Sequence, residues 1–441
     1  MTAHASFLSD FRHYYTLVCL AATSYNKRMT FLPMQTPLMT RLNRPQQGWW
    51  HMPGHAGRLN LPAMLDTTEL RETDDLRHPG PAILAMREAM AAREGAAVSL
   101  PLCGGATLGI QAMIGGMAPR GKTLLVAPGA HLSAYHACAL FGVRALAWQL
   151  GDEAPPDAAG LLVTTPDYFG VCADLAPYRA AAQRLGVPLL LDAAHAAHFA
   201  YCADAPQTEA GCAQAWVHSA HKTLPVLTGG AWLHLADACF YPDVWRALLM
   251  VMTTSPSFLI LASLESARAY MEDEGIRRMA WLAERAGQTT LAWNGAPRDR
   301  HCDPARVVLE VAHLGMTGRE ALERLGAYGI DGETADEGRV ALIGSVLLEE
   351  DDFAQMHGAL ARLRGDTARE MPRRGGLQLE AAVGRIAQGW VGLYPPGVPL
   401  IRPGETITPE AVGILMRASA DGARVFGLVD GVIPAKAAGE A

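Results

Sequence analysis

The sequence has little charge and no clustered cysteine. Only 18% of its 441 residues are charged, the net charge is −7, and no long run of lysine or arginine occurs. This argues against a protein that binds nucleic acid or an anionic membrane surface. The eight cysteines form no C-x-x-C pair, so neither a zinc ribbon nor a disulfide framework is indicated. A cytoplasmic protein is therefore expected.

Long apolar stretches are present, but none has the character of a membrane span. Residues 95–119, 123–143 and 247–264 contain no Asp, Glu, Lys or Arg. A spanning helix needs about 20 mostly apolar residues, whereas glycines, prolines or polar loops interrupt each stretch. They predict a buried core. Residues 1–28 are expected to be a leader of uncertain status, because Asp10 disfavours a signal peptide.

Short apolar runs alternate with segments of helical periodicity from about residue 95. The spacing of Leu175, Tyr178, Ala182 and Leu185, for example, predicts a helix over 174–185. Such alternation predicts an α/β fold with a parallel sheet covered by helices on both faces. The predicted strands are 123–127, 145–149, 160–164, 187–192, 215–219 and 231–235.

The chain is expected to divide near Asn294-Gly295-Ala296-Pro297. Residues 29–293 would form an N-terminal segment and a large domain that ends in two long helices, and residues 294–441 a smaller α+β domain. The proline-rich segment 394–399 is predicted to be rigid and extended. The other predictions are helices over 257–271, 275–293, 318–328 and 350–363, strands over 307–312 and 339–343, and a charged linker over 364–376.

Chemically distinctive side chains follow the strands of the predicted sheet. Asp192 ends one apolar strand, and Lys222 follows the next strand. A lysine in an apolar setting loses its proton readily and can form a Schiff base, and a nearby aspartate can hold a pyridinium nitrogen protonated. Gly105, Ala106 and Thr107 lie in a Gly-rich loop that precedes a predicted helix over 108–113 and could bind a phosphate, and His131 could lie over a planar ring. Together these residues indicate a pyridoxal 5'-phosphate site.

Each of these residues also has an ordinary structural interpretation. Asp192 could cap a strand end, Lys222 could lie on the surface, and His131 could be a hydrogen-bonded core histidine. The pairs His195-x-x-His198 and His218-x-x-His221 have a spacing compatible with zinc, but no third ligand is evident and no metal is expected. The placement of several candidates at successive strand ends favours the cofactor site.

At these residues the sequence resembles the Orn/Lys/Arg decarboxylases, which are pyridoxal-phosphate enzymes of fold type I. The resemblance runs from about His51 to Glu405. Its marks are His51-Met-Pro-Gly-His55, Asp66-Thr-Thr-Glu-Leu70 with Asp74-Asp-Leu76, Gly105-Ala-Thr107-Leu-Gly-Ile-Gln111, the Asp192 and Lys222 segments, Thr253-Thr-Ser-Pro256, and Tyr394-Pro-Pro-Gly-Val-Pro399 with Pro403-Gly-Glu405.

The resemblance implies a large domain with a mostly parallel seven-stranded sheet, a smaller C-terminal domain, and decarboxylation of lysine, arginine or ornithine to the corresponding amine through an external aldimine. Lys222 would carry the cofactor, Asp192 would pair with its ring nitrogen, and His131 would stack on the ring. Protonation of the α-carbon would fall to His131 or Lys222. The other implied cofactor-binding residues are Gly105, Ala106, Thr107, His195, Ser219 and His221.

The resemblance further implies a homodimer with shared active sites, which could assemble further, and a role in polyamine metabolism. In such a dimer Thr254 and Ser255 would reach the phosphate bound by the partner subunit.

The sequence also departs from the family pattern at four positions. Ala56 and Leu132 stand where the family usually has lysine, Ala193 where it has glutamate, and Ala106 where it has a hydroxyl residue. Two alternatives therefore remain open. One is another fold type I reaction, such as transamination, aldol cleavage or elimination, and the other is a degenerate relative that binds the cofactor without turnover.

Overall fold

The computed structural model describes residues 49–50, 74–206, 211–299, 301–365, 379–395, 397–429 and 431–436. The predicted leader, the motifs at 51–55 and 66–70, and the linker from residue 366 onwards lie outside these ranges. The first strand is β1 (Trp49–Trp50), and its Trp50 side chain is fully buried.

A seven-stranded sheet forms the centre of the large domain. Its spatial order is β2-β8-β7-β6-β5-β3-β4, and every strand pair is parallel except those made by β8 with β2 and with β7. The predicted mostly parallel sheet is thereby confirmed. The strands are β2 (Val98–Leu102), β3 (Thr123–Val126), β4 (Arg144–Ala147), β5 (Ala158–Thr164), β6 (Leu189–Asp192), β7 (Ala215–His218) and β8 (Ala231–Leu235).

Helices cover both faces of this sheet, as its nearly continuous apolar strands require. Two of these helices, residues 105–117 and residues 241–251, lie very close together. A Cβ atom built at Gly116 of the first helix would lie 2.5 Å from the Cα atom of Val244 in the second. The helices of this part of the chain are α1 (Pro81–Glu94), α2 (Gly105–Met117), α3 (Leu132–Phe141), α4 (Leu175–Leu185), α5 (Ala220–Thr223), α6 (Tyr241–Val251), α7 (Phe258–Tyr270) and α8 (Ile276–Asn294).

Residues 306–365 pack on α7 and α8 through a shared apolar core. Their three-stranded antiparallel sheet has the order β11-β12-β9, and β10 pairs in parallel with β1. The elements are β9 (Arg306–Glu310), α9 (Gly318–Ala327), β10 (Asp331–Gly332), β11 (Thr334–Ala335), β12 (Arg339–Ile343) and α10 (Glu350–Gly365).

The remaining described residues, from Leu379 onwards, have a separate small core. The elements are β13 (Ile386–Ala387), β14 (Val391–Tyr394), β15 (Val398–Ile401), α11 (Pro409–Ala420), β16 (Arg424–Phe426) and β17 (Ala435–Lys436). No helix among the residues that the model describes is long and apolar enough to cross a membrane.

The structure differs from the sequence-based expectations in two places. The strand β2 was not predicted, because its five residues precede a Gly-rich loop and pair with β8, which is far along the chain. The segment 394–399 is extended only at its two ends, since Tyr394 ends β14 and Val398 and Pro399 begin the antiparallel strand β15. The chain reverses there because Gly397 has a φ of +82°, which glycine adopts without a Cβ penalty.

Candidate active site

Four neighbouring parallel strands end at the same edge of the large sheet, and each is followed by a polar side chain. These side chains are His131 after β3, Tyr168 after β5, Asp192 at the end of β6, and Lys222 after β7. Ligands of open parallel sheets bind beyond this carboxyl edge. The structure thus brings together the three side chains that the sequence singled out and adds Tyr168, which the same rule could have found.

Asp192 is a buried carboxylate, 3% exposed, and few hydrogen bonds offset the cost of burying its charge. Within the described part of the chain, its one hydrogen bond is donated by the backbone N–H of Ala194 at 3.3 Å. Burial raises the pKa of Asp192, while His131 and Lys222 act in the opposite direction. A cationic ring N–H beside this carboxylate would offset the cost of burying its charge.

Lys222 lies in the short helix α5, with its side-chain nitrogen inside the site. Its Nζ atom is 3.1 Å from Nε2 of His195 and 5.2 Å from the centre of the Tyr168 ring. Burial lowers the pKa of Lys222, Asp192 and Glu333 raise it, and Arg306 lowers it further. Burial also holds the pKa of His195 well below its ordinary value, with Lys222 and Arg306 acting in the same direction. The site therefore favours a neutral imidazole beside an amine that loses its proton easily.

His131 is the N-cap residue of α3. Its Nδ1 accepts a hydrogen bond from the backbone N–H of Ser133 at 3.1 Å. Because Nδ1 is an acceptor, the neutral ring carries its proton on Nε2. That edge of the ring faces Gly397, where a Cβ atom would lie 2.8 Å from Nε2. Burial lowers the pKa of His131, although the charge of Asp192 opposes this shift.

The predicted phosphate-binding residues form a connected group near Lys222. Gly105 has a φ of +69°, and its N–H donates to the carbonyl of Gly229 at 2.7 Å. No side chain caps α2, so the first-turn N–H groups that follow, at Ala106 and Thr107, are left for another acceptor. The carbonyl of Gly230, the residue after Gly229, accepts a hydrogen bond from the His221 N–H at 3.1 Å. Ser219 Oγ lies 3.4 Å from Nδ1 of His221.

Thr254 and Ser255 lie in the exposed loop between α6 and α7. Their neighbours Thr253 and Pro256 line a cavity of about 370 Å³, together with Gly104 and Thr107 of the same chain. The loop is therefore close to the start of α2 within one subunit. Its predicted contact with the site of a partner subunit stays a prediction.

A group of residues that sequence reasoning missed closes the site from the side of β9. Arg306 Nη2 lies 3.3 Å from Nδ1 of His195 and 3.2 Å from Oδ2 of Asp303. The other oxygen of Asp303 lies 2.7 Å from Nε2 of His198. Glu333 follows β10 and acts electrostatically on Lys222. No local pattern marks these side chains, because more than 80 residues separate Lys222 from Arg306 in the chain.

The histidine pairs that could have suggested zinc do not converge. His195 contacts Lys222 and Arg306, whereas His198 pairs with Asp303. His218 instead belongs to a second buried cluster with Glu94 and His234, in which the candidate ligand atoms all lie within 4.8 Å of one another. Glu94 and His234 thus lie near His218, which the spacing of residues along the sequence did not reveal. In this cluster His234 Nδ1 is 2.8 Å from Ser99 Oγ.

The side chains at the carboxyl edge fit pyridoxal phosphate. Asp192 is a buried carboxylate in need of a cationic partner, Lys222 is an easily deprotonated amine, and the start of α2 offers uncapped N–H groups to an anion. The fold and this set of side chains define a fold type I pyridoxal-phosphate protein.

Comparison with known proteins gives the family. Residues 145–290 match the model of the Orn/Lys/Arg decarboxylase major domain, and residues 367–425 match that of its C-terminal domain. The chain is 30% identical over 455 residues to the uncharacterized protein YaaO of Bacillus subtilis, covering 87% of this chain and 94% of YaaO. It is 29% identical over 304 residues to an arginine decarboxylase of the same organism, covering 59% and 62% of the two chains. The chain belongs to the Orn/Lys/Arg decarboxylase family, and its cofactor is pyridoxal phosphate.

Solved structures support the same fold. A lysine decarboxylase of Francisella novicida aligns with a TM-score of 0.67 at 15% identity, over 82% of this chain and 72% of that one. A serine palmitoyltransferase of S. paucimobilis, whose structure contains PLP, aligns with a TM-score of 0.54 at 14% identity, over 72% and 86% of the two chains.

Proposed function

We propose that the protein decarboxylates a basic amino acid, namely lysine, arginine or ornithine, and releases the corresponding amine. The observation that carries this proposal is the convergence of Lys222, Asp192 and His131 at one edge of the sheet. Loss of CO2 leaves an electron pair on the α-carbon, and bound pyridoxal phosphate supplies the electron sink that accepts it.

The protein's own residues hold and orient the reacting groups. Lys222 would supply the amine to which the cofactor is attached, and Asp192 would keep the ring nitrogen protonated. The start of α2, with Ala106 and Thr107, would hold the phosphate together with Ser219 and His221. The contact made by Asp192, which is 3% exposed, is strengthened by burial, because water screens it little.

Two groups can deliver a proton to the α-carbon. His131 carries its proton on Nε2, the ring edge that faces the turn at Gly397. Lys222 regains a proton readily because Asp192 and Glu333 favour its charged form. Both assignments are proposals, and replacement of His131 by phenylalanine separates them, because the ring face is kept while the donor is lost.

A basic substrate is supported by the charge around Lys222. Besides Asp192, Glu333 is the acidic side chain whose charge acts on Lys222. We assign Glu333 to the distal cation of the substrate. Arginine should be tested first, since an arginine decarboxylase is among the relatives.

We further propose a homodimer in which Thr254 and Ser255 complete the site of the partner subunit. Subunit mixing tests this assignment. A Lys222→Ala subunit and a Thr254→Ala/Ser255→Ala subunit should each be inactive alone, but their heterodimer should regain up to one working site. No recovery in a verified heterodimer would place both residues in their own subunit's site.

The experiment that tests the function records visible absorbance while lysine, arginine and ornithine are added in turn to the loaded protein. A cofactor band that changes with one of them, with release of CO2 and amine, supports the proposal. A keto acid without CO2 indicates a transaminase, and a band that is indifferent to all three indicates another substrate or a degenerate relative. Lys222→Ala should abolish the covalently bound cofactor and turnover, whereas the exposed control Lys122→Ala should retain both.

A further inference from the structure

Arg306 is a buried arginine whose hydrogen-bonding groups are incompletely used. Its side chain is fully buried at the start of β9. Its Nη2 contacts His195 and Asp303, whereas Nε and Nη1 have no hydrogen-bond partner among the described residues. A guanidinium kept only for structure would be expected to have its donors satisfied.

The carboxylate of Asp303 places a negative charge beside Arg306. One carboxylate oxygen accepts from the backbone N–H of Ala305 at 2.8 Å and lies 2.7 Å from Nε2 of His198, while the other oxygen faces Arg306. Burial acts to raise the pKa of Asp303, but His198 and Arg306 outweigh it and lower the value to about 2. Asp303 is therefore ionised and holds the guanidinium in place against His195.

The hydrogen-bond directions around His195 then follow from chemistry. A guanidinium has donors and no acceptor, so Nδ1 of His195 must accept from Arg306. The neutral ring consequently carries its proton on Nε2, which is the atom 3.1 Å from Nζ of Lys222. An Nε2–H group donates, so Nζ must offer its lone pair and be an uncharged amine. An ammonium group at Lys222 would instead require a proton on Nδ1, directed at the donors of Arg306.

We propose that Arg306 is a positioning residue that fixes the Nε2–H tautomer of His195 and thereby holds Lys222 as the neutral amine that attaches the cofactor. The proposal rests on the function proposed above for Lys222. It adds a residue that lies far from Lys222 in the sequence and acts through His195.

Several other groups that face Lys222 favour its charged form, so a neutral amine requires a group that opposes them. Asp192 from β6 and Glu333 from the segment between β10 and β11 both favour the ammonium form. His131 contributes a neutral ring, and the face of the Tyr168 ring lies near Nζ and also favours a cation. Arg306, acting directly and through His195, opposes these effects.

The test measures how fast the full-length apoprotein attaches pyridoxal phosphate as a function of pH. Attachment forms a C=N bond between Nζ and the aldehyde carbon and releases water, and only the neutral amine can attack. Arg306→Met should move the midpoint of the rate profile upward by about one pH unit, which lowers the rate about tenfold at pH values well below the midpoint. Arg298→Met is the control, since Arg298 is a partly buried arginine near Asp303 that donates to the backbone carbonyls of Pro304 and Arg306.

The His195→Phe background separates the tautomer from the charge of Arg306. If Arg306 acts mainly through His195, Arg306→Met should shift the profile of His195→Phe by clearly less than it shifts the wild-type profile, because only the direct effect of the charge remains. An equal shift in both backgrounds would overturn the proposal, because the effect would then be that of the charge alone. If the wild-type protein attaches no cofactor through Lys222, the proposed function itself fails.

A second measurement keeps the inference testable if Arg306→Met does not fold. Nitrogen-15 NMR of histidine-labelled wild-type apoprotein distinguishes the two neutral tautomers, and the spectrum of His195→Phe identifies the His195 signals. Protonated Nε2 with unprotonated Nδ1 supports the proposal. The reverse assignment contradicts it, whatever the variants do.

Discussion

Two buried polar clusters lie in the large domain, and they differ in charge balance. The first, at the carboxyl edge of the sheet, contains His131, Asp192, His195 and Lys222. The second contains Glu94, Ser99, His218 and His234. Both have imidazoles and a carboxylate, but the second has no lysine, and its His234 belongs to the antiparallel strand β8. Buried histidines alone therefore do not mark an active site. An amine near a buried carboxylate that accepts few hydrogen bonds does.

The comparison predicts that changes in the first cluster affect activity more than stability, and that changes in the second do the opposite. The largest effect is expected for Asp192→Asn, because the amide cannot hold a protonated ring nitrogen by charge. We expect kcat to fall roughly a hundredfold or more, in line with the loss of one strong electrostatic contact in a dry site. Steady-state kinetics measure it, with the exposed Asp243→Asn as control. A retained kcat would remove Asp192 from the mechanism.

For the second cluster, His234→Ala should lower the free energy of unfolding by about 1–3 kcal/mol, since Ser99 loses its buried partner and a cavity forms. Denaturant unfolding of the apoprotein measures the change. The turnover rate per bound cofactor should stay at the wild-type value. A large fall in that rate would mean that the two clusters are functionally coupled and would break the comparison.

A smaller effect is expected at the border of the first cluster. Glu333→Gln should raise KM for the basic substrate about tenfold, which corresponds to roughly 1.4 kcal/mol of lost binding, with a smaller change in kcat. The exposed Glu337→Gln is a matched control on the neighbouring turn. Equal KM values for wild type and Glu333→Gln would assign the distal cation to another side chain.

The smallest effect concerns the pH dependence of stability. Burial lowers the pKa of Lys222 in the folded protein, so the unfolded chain binds more protons between the folded value and the ordinary value of 10.5. The charged lysine therefore destabilises the fold below that window, and its contribution rises with pH. Apo Lys222→Met should melt at a higher temperature than wild-type apoprotein near neutral pH. The difference should shrink as pH approaches 10, and a constant difference would argue against a depressed pKa.

Local sequence patterns predicted most of the large domain. Six of the sheet strands and the helix at 175–185 follow from apolar runs and helical spacing, and the strand-end rule located Asp192, Lys222 and His131. The sequence missed β2, because strand pairing over more than 120 residues leaves no local trace. It did not predict the chain reversal within 394–399, because proline content does not distinguish an extended segment from one that turns at a glycine with positive φ, here Gly397.

The amino-acid sequence by itself determined the class of fold, the cofactor and the residues at the ends of the parallel strands. These features depend on periodicity and on the rule that parallel strands end at one edge, both of which are readable along the chain. Only the tertiary structure decided that Arg306, Asp303, Tyr168 and Glu333 surround Lys222. Their contacts form when β9 and the segment after β10 pack against the sheet, and hydrogen-bond direction and desolvation depend on distances in space.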